Sequence, residues 1–156
     1  MNLVFVSSPQ VEFAHMRKEL CYFVLTDPYL KQFFDVFLFE NLPANQRNPQ
    51  RNYRKKVKEC DIYLGLFGKT YGTMDGEGLS ATQREFDYAT ELGKDRIVFI
   101  RALPPRARQA RKMAALITRA KLEVTFDTFG SLEELKRKVM QSLLYWQQDQ
   151  NRRPLP

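Results

Sequence analysis

Apolar positions along this 156-residue chain fall into short runs separated by stretches of helical spacing, and that alternation outlines the elements. Leu3 to Ser7 reads as a buried strand. Ser8-Pro9 then supplies an N-cap and a first-turn proline for a helix through about Leu25, with Phe13, Met16, Leu20 and Val24 as its apolar stripe. After a turn at Asp27-Pro28, Val36 to Phe39 forms a continuous apolar run suited to a central second strand. The polar segment Glu40 to Asn48 precedes a basic helix ending near Cys60, and Ile62 to Phe67 makes the third strand. Ser80 and Gln83 read as a capping box opening a helix that Gly93 stops, with Thr82, Phe86, Ala89 and Leu92 as its core-facing row. Ile97 to Ile100 is the fourth strand, and Pro104-Pro105 breaks the chain before a basic helix containing Met113, Leu116 and Ile117. Val124 to Phe126 reads as a short edge strand. Ser131 and Glu134 form a second capping box for a final helix with Leu132, Leu135, Val139, Leu143 and Trp146 along one face.

Strands that alternate with helices and are themselves almost wholly apolar imply a parallel sheet covered on both faces, with right-handed crossovers. The expected architecture is α/β: a doubly wound five-stranded parallel sheet of flavodoxin-like order 2-1-3-4-5. That order puts a crevice beyond the carboxyl ends of strands one and three, where the winding direction switches. Ser7, Ser8, Glu40, Phe67, Gly68 and Glu85 are expected to face it. Residues 1–150 read as a single domain, and 151–156 as a tail or the start of a connection to C-terminal domains of a longer protein.

Composition narrows the function classes. A hydrophobic content of 44% with 13% aromatic residues argues against disorder, and no apolar run approaches the roughly 18 to 20 residues that span a bilayer. Without a signal-peptide pattern at Met1 the cytoplasm is the expected location, with no membrane association. Cys21 and Cys60 make neither a disulfide framework nor a metal site. Phosphate-loop and dinucleotide fingerprints are absent, as is any Cys/His cluster, so neither a metal nor a cofactor is expected. The single histidine, His15, falls inside the first helix and disfavours a Ser-His-Asp system. The net charge of +7 comes largely from two acid-free blocks, Arg47 to Lys58 and Arg101 to Lys121. Solvated helix faces are favoured over a nucleic-acid surface, because the aromatic residues do not alternate with the basic ones.

One residue breaks the pattern. Glu85 falls within the apolar row of its helix, where an unpaired ionised carboxylate would cost several kcal/mol to desolvate. Such a position suggests a pocket. The loop Gly68 to Gly78 holds four glycines that let the backbone turn sharply or approach a ligand, as a lid or simply as a mobile surface loop. Within it, next to Gly72, Tyr71 can stack on a base or nicotinamide. Ser7 is placed to bind a ribose or phosphate oxygen. Ser8 can do the same, or cap the first helix. Glu40 can hydrogen-bond a ribose diol, or sit exposed. Asp61 precedes the third strand at the opposite edge of the sheet and is excluded.

Leu3-Val-Phe-Val-Ser-Ser-Pro9, Asp35-Val-Phe-Leu-Phe-Glu40, Cys60-Asp-Ile-Tyr-Leu-Gly-Leu-Phe-Gly-Lys-Thr-Tyr-Gly72 and Thr82-Gln-Arg-Glu-Phe-Asp-Tyr-Ala89 together resemble the domain-of-unknown-function 4062 family over nearly the whole chain. That family looks like a distant relative of Toll/interleukin-1 receptor (TIR) domains and nucleoside deoxyribosyltransferases, and its members commonly stand at the N-terminus of longer proteins. The resemblance implies a TIR-like fold and a nucleotide-like small-molecule ligand. It also implies that Glu85 matches the glutamate that attacks or stabilises the anomeric carbon of an N-riboside in the enzymatic relatives. NAD or a nucleoside would then be substrate rather than cofactor. Two other roles stay open: a non-catalytic signalling module that forms homo-oligomers, and a nucleic-acid-binding accessory domain.

Overall fold

The structure, a computed structural model, describes residues 1–44 and 49–154, with 49–52 described by their backbone alone. Parts of the Glu40 to Asn48 segment, of the Arg47 to Lys58 block and of the expected tail lie outside the described residues. The elements in chain order are β1 (Asn2–Ser7), α1 (Gln10–Thr26), β2 (Phe34–Phe37), α2 (Pro49–Glu59), β3 (Ile62–Phe67), α3 (Ala81–Glu91), β4 (Asp95–Arg101), α4 (Arg111–Glu123), β5 (Thr125–Phe129) and α5 (Leu132–Arg152). All strand pairings are parallel, in the order β2-β1-β3-β4-β5. This is the doubly wound order expected from the sequence.

The pleat divides each apolar strand between two cores. Val4, Val6, Ile62, Leu64, Leu66, Ile97 and Phe99 face α1 and α5, where they meet Phe13, Leu20, Val24, Leu135, Val139 and Leu143. Phe5, Tyr63, Phe67, Val98 and Ile100 face the other way, onto Val57, Phe86, Ala89, Met113 and Leu116 of α2, α3 and α4. Burying each such side chain contributes about 1.5–3 kcal/mol, which is why the strands read as unbroken apolar runs.

Several local expectations shift. Ser8 does not cap α1; Pro9 holds the N-cap position with φ −56° and ψ 117°, and no side chain caps it. The second strand lies two residues earlier than Val36 to Phe39 and at the sheet edge, because Asn2 to Phe5 pair with Phe34 to Phe37. Beyond it Phe39–Asn41 tightens into a 3-10 turn. Val124 caps α4, so the fifth strand begins at Thr125 and runs to Phe129. α5 continues two residues into the segment expected as tail. At the end of α3, Gly93 adopts φ 65°, with its N–H on the Thr90 carbonyl and that of Lys94 on the Ala89 carbonyl, the Schellman pattern. Leu92 is left exposed rather than core-facing.

Gly68, immediately after β3, sets how the following loop leaves the sheet. The Glu12 carboxylate accepts hydrogen bonds from the N–H groups of Lys69 and Thr70 and from the Thr70 hydroxyl. A Cβ at position 68 would stand 2.4 Å from Glu12 Oε2 and 2.9 Å from Phe13 Cζ. Gly68→Ala is therefore expected to destabilise the fold by about 1–3 kcal/mol, seen as a lower denaturant midpoint at unchanged slope. Gly76→Ala, where a Cβ meets nothing within 4 Å, should leave the midpoint nearly unmoved.

Candidate active site

The loops leaving the carboxyl ends of β1, β2, β3 and β4 surround a cavity of about 1080 Å³, at the upper end of the roughly 300–1000 Å³ usual for small-molecule sites. Two polar constructions adjoin it, anchored on Ser7, the last residue of β1, and on Ser8 just after it. Ser7, fully buried, points toward α3 and donates a hydrogen bond of 2.8 Å to Glu85 Oε1. Ser8 points the other way, toward α1, and accepts from Arg17 Nη1 at 2.9 Å. The same nitrogen donates to the Val6 carbonyl at 3.2 Å. Arg17 Nε and Nη2 grip both oxygens of Glu40, at 2.8 and 2.9 Å, in a bidentate pair. Arg17 is only 2% exposed, and with four donated bonds its charge is well satisfied.

Glu85 has less support. It is partly buried on the cavity wall, with Ser7 as its hydrogen-bond donor. Burial raises its carboxyl from the ordinary range to about 7, against the pull of the Ser7 hydrogen bond and the Arg17 charge, with the Glu40 charge adding to the rise. Tyr63 faces the same layer on β3, and burial pushes its phenol well above the usual value against the pull of the neighbouring Ser7 hydroxyl, with the Glu85 charge adding to the rise.

Of the residues expected at the crevice, Ser8, Tyr71, Gly72 and Glu85 line the cavity. Ser7 stands behind Glu85 and touches the carboxylate. Glu40 faces Arg17 with both oxygens. Phe67 is turned by the pleat into the core, where its ring packs edge-on to Phe86 at 5.9 Å. Gly68 abuts Glu12 and Phe13, while its carbonyl accepts from Gln109. Tyr71 is 6% exposed, its hydroxyl on Gln83 Oε1 at 3.3 Å.

The glycine-rich loop is a pinned hairpin. Met74 and Ser80 form an antiparallel bridge, Asp75 closes the turn, and Arg84 of α3 pairs with Asp75 at 2.8 Å and Glu77 at 3.1 Å. Lys112 Nζ donates to the Gly78 carbonyl, and the Ala110 N–H to the Lys69 carbonyl at 2.9 Å. Ser80 caps α3 through the Gln83 N–H, as expected. The Gln83 side chain turns instead to Tyr71 and Asp87.

Sequence reading missed Arg17 and the cations of the β4–α4 segment. Arg17 carries the same signal as Glu85, a charge inside an apolar stripe, between Phe13 and Leu20-Cys21. The Arg101 to Lys121 block divides by partner. Arg101 lies 3.6 Å from Glu12, and Arg119 pairs with Asp87 and Glu123. Arg108, Arg111 and Lys112 border the cavity. Among the described residues no group of three or more His, Cys, Asp and Glu could hold a metal, and no helix is long and apolar enough to cross a membrane.

No curated protein sequence matches the chain. Among solved structures, the CMP N-glycosidase BcmB of Clostridium botulinum superposes with a TM-score of 0.57, covering 90% of this chain and 99% of that one at 16% identity. At that identity the likeness shows a shared fold. The family model for a domain of unknown function, DUF4062, matches residues 3–144, and the chain belongs to that family.

Proposed function

We propose that the cavity binds a nucleotide-like N-riboside, NAD or a nucleoside derivative, and that Glu85 cleaves its N-glycosidic bond. The observation that carries this reading is a carboxylate on the wall of a large cavity, held by one hydroxyl and titrating near neutrality. The fold shared with a CMP N-glycosidase supports it.

The chemistry asks little of the protein. As the bond between the anomeric carbon and the base nitrogen breaks, its electron pair leaves with the base and the sugar becomes oxocarbenium-like. Ser7 occupies Oε1, which leaves Oε2 to attack the anomeric carbon or to stabilise the cation. Water then adds at that carbon, releasing Glu85 and a proton. A nicotinamide leaves neutral without protonation; another base takes up a proton from solvent on departure, which the proton released by the attacking water replaces. Ser7 acts as a positioning residue, fixing the carboxylate rotamer and favouring its ionised form.

Incubation with NAD and with nucleosides and their 5′-monophosphates, read by chromatography, should show released base with the wild-type protein and at least ~100-fold less with Glu85→Gln. No release by wild type, or equal release by the variant, would refute the assignment.

The raised carboxyl fixes two pH dependences of opposite sense. Activity needs the ionised form, so base release should climb as pH rises through about 7. Stability runs the other way. Between the ordinary carboxylate range and about pH 7 the native state holds a proton at Glu85 that the unfolded chain has lost, so stability falls across that window and stays lower above it. Glu85→Gln keeps the acceptor for Ser7 and removes the buried charge. It should raise stability at pH 8 by about 1–3 kcal/mol and have little effect at pH 4, measured by denaturant titration at both pH values.

A further inference from the structure

We infer that the ligand is a phosphorylated nucleoside whose phosphate lies at the β4 end of the cavity, against the side chains of Lys69, Arg108 and Arg111. This rests on the reading of the cavity as a nucleotide site and adds an orientation to it.

Strand order maps directly onto the cavity. The segments after β2, β1, β3 and β4 stand in that sequence along the carboxyl edge of the sheet. Phe39, which follows β2, and Arg108 and Arg111, which follow β4, therefore line opposite ends. Ser8 and Glu85 lie between them. Phe39 at one end, the reactive carboxylate in the middle and cations at the other end match base, sugar and phosphate in that order; Tyr71, beside Lys112 at the cation end, is only 6% exposed and offers little ring surface for stacking.

The cations without a protein partner gather toward that end, where Lys69, which follows β3, joins Arg108 and Arg111 because its carbonyl accepts from the Ala110 N–H. Glu85 is the one carboxylate among the described lining residues, against five cationic side chains. Arg17 is matched by Glu40, and Lys112 donates to the Gly78 carbonyl. The side chains of Lys69, Arg108 and Arg111 make no hydrogen bond or ion pair among the described residues, although each of the nearby Arg84, Arg101 and Arg119 has an acid partner. Three solvent-exposed cations without a protein partner border one cavity, and a phosphate supplies the charge and the acceptors that the protein does not. Both a 5′-monophosphate and the pyrophosphate of a dinucleotide have this chemistry.

The test is equilibrium binding by calorimetry to the Glu85→Gln protein, which leaves ligands uncleaved, using ribonucleosides, their 5′-monophosphates and NAD. At least one phosphorylated ligand should bind 10-fold or more tighter than its parent nucleoside, and more weakly as salt rises. A monophosphate preference without NAD binding identifies a single phosphate; the reverse identifies the pyrophosphate. Adding Arg108→Ala and Arg111→Ala should remove most of the preference, leaving only what Lys69 sustains, while nucleoside affinity stays in place. Arg108→Lys with Arg111→Lys, which keeps the charge, should retain more of it. Equal binding of nucleoside and phosphorylated forms, or a preference that survives the alanine pair undiminished, overturns the phosphate assignment and leaves the role of Glu85 standing. Absence of binding by every ligand overturns both.

Discussion

The pleat at the end of β1 is the constraint on which the rest of the site depends. Successive residues of a strand point to opposite faces, so two adjacent serines must deliver their hydroxyls to different helix layers. Ser7 reaches Glu85 on α3, and Ser8 reaches Arg17 on α1. Because β1 sits where the winding reverses, with β2 on one side and β3 on the other, these two bonds join both layers at the point where the sheet opens a crevice. A register slip of one residue would put Val6 in the place of Ser7 or Pro9 in the place of Ser8, leaving Glu85 without its donor or Arg17 without one of its acceptors.

The two buried charges are treated differently, and the difference separates scaffold from candidate chemistry. Arg17 is matched by a bidentate carboxylate and two further acceptors, so its burial is compensated. Glu85 receives one hydroxyl, lies partly open to the cavity and carries a carboxyl raised to about 7. A structural carboxylate would be expected to gain a cation or several N–H donors, as Glu12 does from Lys69 and Thr70. Arg17 is close enough to lower the Glu85 value without reaching it, and Glu40 takes up the guanidinium. Glu40 thus acts at a distance, its own charge adding to the rise at Glu85 while its oxygens take up the guanidinium.

The fold was legible because strand and helix periods differ, and the alternation of apolar runs with helical stripes left one sensible sheet order. Glu85 was legible because it interrupts Thr82, Phe86 and Ala89, all buried. Arg17 interrupts Phe13, Leu20 and Val24 in the same way, yet a long arginine is often read as reaching solvent by its tip. Here the tip is buried against a carboxylate 23 residues away, which no local pattern reveals. The direction of Phe67 was also hidden. Position at a strand end says that a residue is near the crevice, while the pleat decides whether its side chain enters the crevice or the core. Phe67 shares the Tyr63 side of β3 and packs on Phe86. Boundaries moved where pairing overrode composition, as at β2, whose register follows Asn2 to Phe5 rather than the apolar run itself.

A fold shared at 16% identity leaves the ligand undetermined, because the sheet supplies only the crevice and the loops supply its lining. In this chain those loops are tied to one another rather than left independent. Gln109 and Ala110 bond to the backbone of Gly68 and Lys69, Lys112 bonds to Gly78, and Arg84 holds the hairpin turn from α3. The backbone that carries Arg108 and Arg111 is thereby tied to the loop after β3 and, through Lys112 and Gly78, to the approach to the helix that carries Glu85. With the carboxylate held by Ser7 and the β4–α4 backbone held by this loop network, the negative and positive groups stand at different places on the cavity wall. Under the proposed reading a ligand's negative charge and its reactive carbon must be spaced to match those two places, a stricter requirement than volume or net charge alone would impose.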